Sequence, residues 1–209
     1  MVTNPTLDYE RELFDSGIPL IIGIDEVGRG AMAGPVMVGV CALGPEVRDF
    51  PEGLRDSKLV SEKKRTALYP EVLAWAPTAV GEASAVEIDE LGITACLGLA
   101  AKRALAQLHA DGVPVGTATV LLDGAHDWLN PALSSKLPVI TRVKADQDCA
   151  VVSAASIVAK VQRDALMVEI DQEHPEYAWS SNKGYGAAVH MDAIKTLGTT
   201  IHHRQTWVK

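Results

Sequence analysis

The stretch Ile21 to Pro35 constrains this chain more than any other: Ile-Ile-Gly-Ile runs into Asp25-Glu26 and then into Val-Gly-Arg-Gly-Ala-Met-Ala-Gly-Pro. An apolar strand that ends on two adjacent carboxylates and passes into a glycine-punctuated loop with one cation, Arg29, sets acid chemistry beside accessible backbone. Within a strand consecutive side chains face opposite sides of a sheet, so Asp25 and Glu26 can share a site only at the strand's end. There Gly28 and Gly30 let the chain turn and a ligand approach the main chain. The bland alternative is a solvated strand terminus, the usual fate of an Asp-Glu pair. A third reading is that Gly28-x-Gly30-x-x-Ala33 opens a dinucleotide-binding turn, which demands a helix next. Val36, Val38 and Val40 instead alternate with Met37, Gly39 and Cys41, a strand pattern that disfavours a nucleotide cofactor.

A chain of 209 residues with 47% hydrophobic content can bury one α/β core with a small appendage. The formal charge of −8 argues against a nonspecific polyanion binder, while leaving room for a local basic groove. Cys41, Cys96 and Cys149 are odd in number, far apart and without a C-x-x-C pair, as expected of free thiols in a reducing compartment. The first residues lack the basic and apolar regions of a secretory signal, and no uncharged run reaches the length of a membrane span. Together these features predict a cytoplasmic protein with no membrane association.

Periodicity predicts a short amphipathic helix within residues 1–17, strands over 20–25 and 36–43, a helix from Ser61 to Trp75 with Ser61 as N-cap, and a strand over 78–83. Ser84-Ala85-Val86-Glu87 spells a capping box, a longer helix follows over 94–110, and strands are predicted at 118–122 and 139–143. Residues 147–172 read as one long helix that Pro175 stops, with Ser153, Ser156, Lys160 and Arg163 as a polar stripe. A last helix spans 187–197 and ends at Gly198.

Three of these strands end at or just before acids: Asp25-Glu26, Asp123 and Asp146. If the first and fourth strands are parallel neighbours, their carboxyl ends gather Asp25, Glu26 and Asp123 in one crevice. Clustered carboxylates repel unless a hard cation neutralises them, so such a cluster predicts Mg²⁺ or Mn²⁺. Zinc suits that cluster poorly, since the histidines show no H-E-x-x-H spacing and the cysteines no pairing. A carboxylate-bound metal pair about 4 Å apart is the usual apparatus for in-line displacement at a phosphodiester.

The strings Gly-Ile-Asp-Glu-Val-Gly-Arg-Gly (23–30), Asp-Ser-Lys-Leu (56–59), Leu-Leu-Asp-Gly (121–124), Val-Lys-Ala-Asp (143–146), Ser-Ala-Ala-Ser-Ile-Val-Ala-Lys-Val-x-Arg-Asp (153–164), Lys-Gly-Tyr-Gly (183–186) and His-His-Arg (202–204) resemble, in order, those of bacterial ribonuclease HII. The resemblance implies a ribonuclease H-like mixed five-stranded sheet flanked by helices over 1–175, with a small C-terminal helical extension over 176–209 that contributes to substrate binding. It implies a monomeric endonuclease acting on RNA/DNA hybrids and on ribonucleotides embedded in duplex DNA, cutting on the 5′ side to leave a 3′-hydroxyl and a 5′-phosphate. Asp25, Glu26, Asp123 and Asp146 match its catalytic metal ligands, for Mg²⁺ or Mn²⁺, with two ions during catalysis. Asp164 is the competing fourth acid, but on one continuous helix it lies roughly 27 Å from Asp146 and reads better as a helix-surface salt-bridge partner.

By the same resemblance Gly28, Arg29 and Gly30 read the 2′-hydroxyl at an RNA-to-DNA junction, Tyr185 stacks on the following deoxyribose, and Lys58 and Lys183 contact phosphates. Ser153, Ser156 and Lys160 either face the substrate or form the wet edge of their helix, and His202, His203 and Arg204 suit a structural role in the tail. Ala145 stands where many members carry glycine, with no evident consequence. The acidic balance predicts few phosphate contacts and a moderate salt dependence. The competing class is a non-catalytic nucleic-acid-binding module on the same fold.

Overall fold

Alternating hydrophobic residues build the centre of the molecule, which a computed structural model describes over residues 4–208. The strands β1 (Ile21–Val27), β2 (Val36–Leu43), β3 (Thr78–Ala83), β4 (Thr119–Asp123) and β5 (Val139–Arg142) form one mixed sheet in the order β3-β2-β1-β4-β5. β2 runs antiparallel to β1 and β3, while β4 and β5 add in parallel on the other edge of β1. The helices are α1 (Asp8–Asp15), α2 (Glu62–Trp75), α3 (Ala85–Leu91), α4 (Ile93–Ala110), α5 (Ala145–Asp148), α6 (Ala150–Asp171), α7 (Trp179–Asn182) and α8 (Ala188–Leu197). The mixed five-stranded sheet flanked by helices is the architecture expected from the sequence. Residues 1–3, placed by the sequence at the start of the first helix, and Lys209 lie outside the described residues.

The strand period divides the core in two. Ile22, Ile24, Val120 and Leu122 pack with Leu97, Ala101, Ala104 and Leu108 of α4. Ile21, Cys41 and Leu121 pack with Val151, Ala155 and Val158 of α6 on the opposite face. Each fully buried Ile, Leu or Val contributes about 1.5–3 kcal/mol relative to exposure, and both helices are rich in such residues and in alanine. The approach of α6 is close because the strands offer no side chain beneath it. A Cβ on Gly23 would lie 2.6 Å from the Val151 carbonyl carbon, and one on Gly39 would collide with the Ala155 carbonyl oxygen.

Glu10 of α1 fixes where α6 begins. Its buried carboxylate accepts the Val151 N–H at 2.9 Å, satisfying a first-turn amide and placing an anion at the positive end of the helix. Burial pushes the Glu10 carboxyl above its ordinary value despite that bond.

Several local expectations are corrected. The helix predicted over 147–172 is broken at Cys149, which is extended and bridges Thr6; Ala150 N donates to Thr6 O at 3.0 Å. β1 continues past Asp25 to Val27 because β2 stays paired with it through Val27–Met37. Ser61 sits at the N-cap of α2 without a side-chain capping bond, whereas the Ser84–Glu87 capping box forms in both directions. Ser153 and Ser156 are neither a wet edge nor a substrate face: both are fully buried. Asp164 is an ion-pair partner, but within the protein, 2.6 Å from Lys160 Nζ and 3.6 Å from Arg65 Nη2.

Beyond Pro175 the chain folds back over α6. Tyr177, Trp179 and Ile194 form a third apolar cluster with Met167 of α6 and Ala33 of the glycine loop. The three cysteines are buried free thiols, and no helix among the described residues is long and apolar enough to cross a membrane.

The seating of α6 on bare backbone has a measurable consequence. Gly39→Ala is expected to lower unfolding free energy in urea by about 1–3 kcal/mol, the usual cost of overpacking. Gly44→Ala, where a Cβ meets nothing within 4 Å, should stay within about 0.5 kcal/mol. Equal effects at the two positions would contradict this packing.

Candidate active site

The sheet's hydrogen bonding ends unevenly, and the acids gather at that step. Pairing of β1 with β4 stops at Ile24–Leu122, while its pairing with β2 runs on to Val27–Met37. Asp25 and Glu26 therefore lie past the end of the β4 ladder but within the β2 ladder. Strand alternation puts Asp25 and Asp123 on the α6 face of neighbouring parallel strands and Glu26 on the other. Asp123 closes β4, and Asp146 enters from α5 just beyond β5. Asp25 is 4% exposed and Asp146 3%, so this is not the solvated strand end of the bland alternative.

The acids sense one another. Burial holds the Asp25 carboxyl well above its ordinary value, and the charges of Glu26, Asp146 and Asp123 push the same way, with Lys58 opposing. Burial and the Asp146 charge raise Asp123, against the lowering effect of the Ala145 and Asp146 amides. Asp123 Oδ1 is buried with no hydrogen-bond partner, an acceptor left without a donor. An orphaned carboxylate oxygen beside the buried carboxylates of Asp25 and Asp146 suits a hard divalent cation.

Lys58 supplies the cluster's counter-charge. Its Nζ lies 3.2 Å from Asp146 Oδ2. Burial works against the ammonium, yet Asp25, Asp56 and Asp146 hold its pKa above the ordinary lysine value. The Lys58 turn is fixed by its own N–H donating to Asp56 Oδ1 at 3.0 Å and by Ser57 N–H donating to Ser156 Oγ at 3.1 Å. One helical turn earlier, Ser153 Oγ donates to the Asp146 carbonyl at 2.7 Å. The two buried serines of α6 thus position the lysine and its acid partner.

Beside the acids the chain turns at Gly28 with φ +80°, a conformation that disfavours any side chain. Arg29 reaches back to Glu26 at 3.3 Å. Two buried arginines hold this loop from behind. Arg163 donates to the carbonyls of Pro35 (3.0 Å), Ala33 (3.2 Å) and Lys183 (2.9 Å). Arg204 donates to those of Gly28 (2.6 Å), Arg29 (2.8 Å) and Gly34 (3.1 Å). Burial lowers the pKa of both, Arg204 to about 10, which leaves Arg204 charged at neutral pH. The sequence left Arg163 in a polar stripe and gave Arg204 a structural role in the tail without its partners, which the structure supplies; their recurrence in two of the matched strings was the available signal for the clamp.

Tyr185 is 38% exposed, with the Arg163 guanidinium 5.5 Å from its ring centroid, so it is not a core tyrosine. Lys183 is buried and its Nζ donates to the Ser180 carbonyl, which leaves two of the ammonium's three donors for other partners. His203 is buried, 3.1 Å from His190, and burial takes its pKa down to about 4, making it a neutral core residue. β2 follows directly where a dinucleotide-binding turn would need a helix, which removes the nucleotide-cofactor reading.

Known proteins carry the same pattern. The family described as ribonuclease HII matches residues 22–209. A ribonuclease HII from Streptomyces avermitilis is 47% identical over 205 residues, covering 97% of this chain and 83% of that protein. Among solved structures, the ribonuclease H2 of Pyrococcus horikoshii superposes with a TM-score of 0.67 at 25% identity, over 90% of this chain and 93% of that one. A Bst-RNase HIII in complex with Mn²⁺ shares the fold, with a TM-score of 0.70 at 22% identity, over 91% of this chain and 67% of that one. With a family match across nearly its whole length and a relative of this similarity, the chain belongs to the ribonuclease HII family of ribonuclease H-type endonucleases.

Proposed function

We propose that this protein cleaves the phosphodiester on the 5′ side of ribonucleotides in RNA/DNA hybrids and of ribonucleotides embedded in duplex DNA, leaving a 3′-hydroxyl and a 5′-phosphate. The observation that carries this reading is the mutually repelling set Asp25, Glu26, Asp123 and Asp146, with Asp25 and Asp146 buried, beside a rigidly held glycine loop. These four carboxylates would hold Mg²⁺ or Mn²⁺, two ions during turnover. When bound, such ions supply an activated water and neutralise charge on the leaving oxygen.

The chain's own residues do the rest. Lys58, paired with Asp146, offers the scissile phosphate a cation at the edge of an otherwise repulsive cluster. Gly28, Arg29 and Gly30 present main-chain groups to a 2′-hydroxyl, which both donates and accepts hydrogen bonds. The arginine clamp behind them keeps those groups in one geometry before substrate arrives. Tyr185 offers an exposed ring face to the deoxyribose that follows, and Lys183 a phosphate contact through its remaining donors. On this reading the segment 176–209 acts as a helical extension of the domain 1–175, carrying Tyr185 and Lys183 to the substrate. The enzyme works as a cytoplasmic monomer. A binding module on this fold gains nothing from four carboxylates beside phosphates, which disfavours the rival reading.

Duplex DNA with a single embedded ribonucleotide tests this directly. Mg²⁺ or Mn²⁺ should support one nick 5′ to the ribonucleotide. Asp25→Asn and Asp123→Asn should each reduce the rate by about 10³-fold or more while binding in Ca²⁺ is retained. No nick in either metal would refute the enzyme, and full activity in a variant would remove that residue from the set.

The acids also predict a pH effect. A carboxyl raised in the folded state contributes stability that is complete below its unfolded pKa, about 3.9, and lost as pH rises through the folded value. Asp25→Asn should therefore raise the melting temperature of metal-free protein at pH 8 by a few degrees, as roughly 1 kcal/mol does at this chain length. The gain should shrink towards pH 4. A variant less stable than wild type at pH 8 would contradict the assigned burial cost.

A further inference from the structure

The end of α6 and the C-terminal tail meet at a second group of donor atoms, outside the set of four acids. Glu173, His174 and His202 each present one ligand atom, and the three atoms lie within 4.8 Å of one another. The imidazoles are held by packing: their ring centroids are 5.8 Å apart, and both rings stand edge-on to Trp179, at 5.7 and 5.8 Å. Their backbones are also fixed. His174 N–H donates to the Asp171 carbonyl at 3.2 Å, and the His202 carbonyl accepts Gly34 N–H at 2.8 Å. Glu173 is exposed and the histidines half-buried, so an ion has a way in.

Two imidazoles and one carboxylate are the donors of Zn²⁺ and its neighbours Co²⁺ and Ni²⁺, not of Mg²⁺ or Ca²⁺. The electrostatics agree. The group follows the C-terminus of the 22-residue helix α6, whose dipole favours a cation there. Glu176 Oε1, 3.5 Å from His174 Nδ1, brings a second carboxylate to the edge of the group and favours a cation there. We propose that Glu173, His174 and His202 form a binding site for a zinc-type divalent ion. The ion ties the end of α6 to the tail whose Arg204 holds the glycine loop. In the sequence the two histidines are too far apart to match any short metal-binding spacing. The site is independent of the proposed cleavage reaction.

The test is a Co²⁺ titration of the full chain in excess Mg²⁺, which competes for the acid set but poorly for imidazole. Wild type should bind one Co²⁺ per chain with visible d–d absorption, lost on adding Zn²⁺. His174→Asn and the exposed Glu173→Gln should weaken binding by at least about 10-fold. Zn²⁺ should raise the melting temperature of wild type and not of Glu173→Gln, which keeps its Mg²⁺-dependent activity. Absence of the absorption, unchanged affinity in both variants, or loss of Co²⁺ binding in Asp25→Asn would each overturn the site.

Discussion

Like charges taken out of water repel, and this chain is built to hold several carboxylates together regardless. Asp25 and Asp146 are almost wholly buried, Asp123 has an oxygen with no donor, and the cations paired into the set are Lys58 at Asp146 and Arg29 at Glu26. Such an arrangement is costly in the metal-free protein, since buried carboxylates without full compensation resist ionisation. It persists because the surrounding packing over-determines it: two apolar layers clamp the sheet, and the strand ends have nowhere else to put their last residues. A site whose parts are mutually repulsive until an ion arrives is strained at rest, and the fold supplies the stability that the site gives up.

α6 links that packing to the site. Its apolar and glycine-seated face makes the core, three of its polar side chains serve different neighbours, and a fourth pairs within the helix. Ser153 holds the Asp146 backbone, Ser156 the Lys58 turn, and Arg163 the glycine loop together with Lys183, while Lys160 pairs with Asp164. Glu10 fixes the helix's start. A shift of α6 along the sheet would therefore disturb the acids, their counter-ion and the loop together, which makes its close seating on Gly23 and Gly39 a requirement of the site as well as of the fold.

Much of this was legible in the residues. The strands came from short apolar runs bounded by turn residues, with strict alternation in β2, and the capping box at Ser84 from spacing, since these are local patterns. The convergence of Asp25 and Asp123 needed one non-local assumption, that β1 and β4 are parallel neighbours, and the sheet has them so; Glu26 leaves β1 on the other face, though its charge still raises both. Other features were hidden because they depend on tertiary partners. Cys149 leaves helical geometry for a bridge to Thr6, a residue far away in sequence. Ser153 and Ser156 looked like a solvated stripe because helical spacing says which residues share a face, not whether another element covers it. Arg163 and Arg204 gave no local sign that their guanidinium groups would gather carbonyls from the Gly28–Pro35 loop.

The central claim is that the sheet's uneven end is a metal site made of acids from separate strands. Crystals grown with Mn²⁺ and measured at its anomalous edge test it most directly. The account predicts manganese peaks with oxygens of Asp25 and Asp123 at about 2.0–2.6 Å, the range of hard-cation ligands, and Asp123 Oδ1 no longer without a partner. Manganese bound only elsewhere, with Asp25 and Asp123 uncoordinated and Lys58 still paired to Asp146, would contradict it.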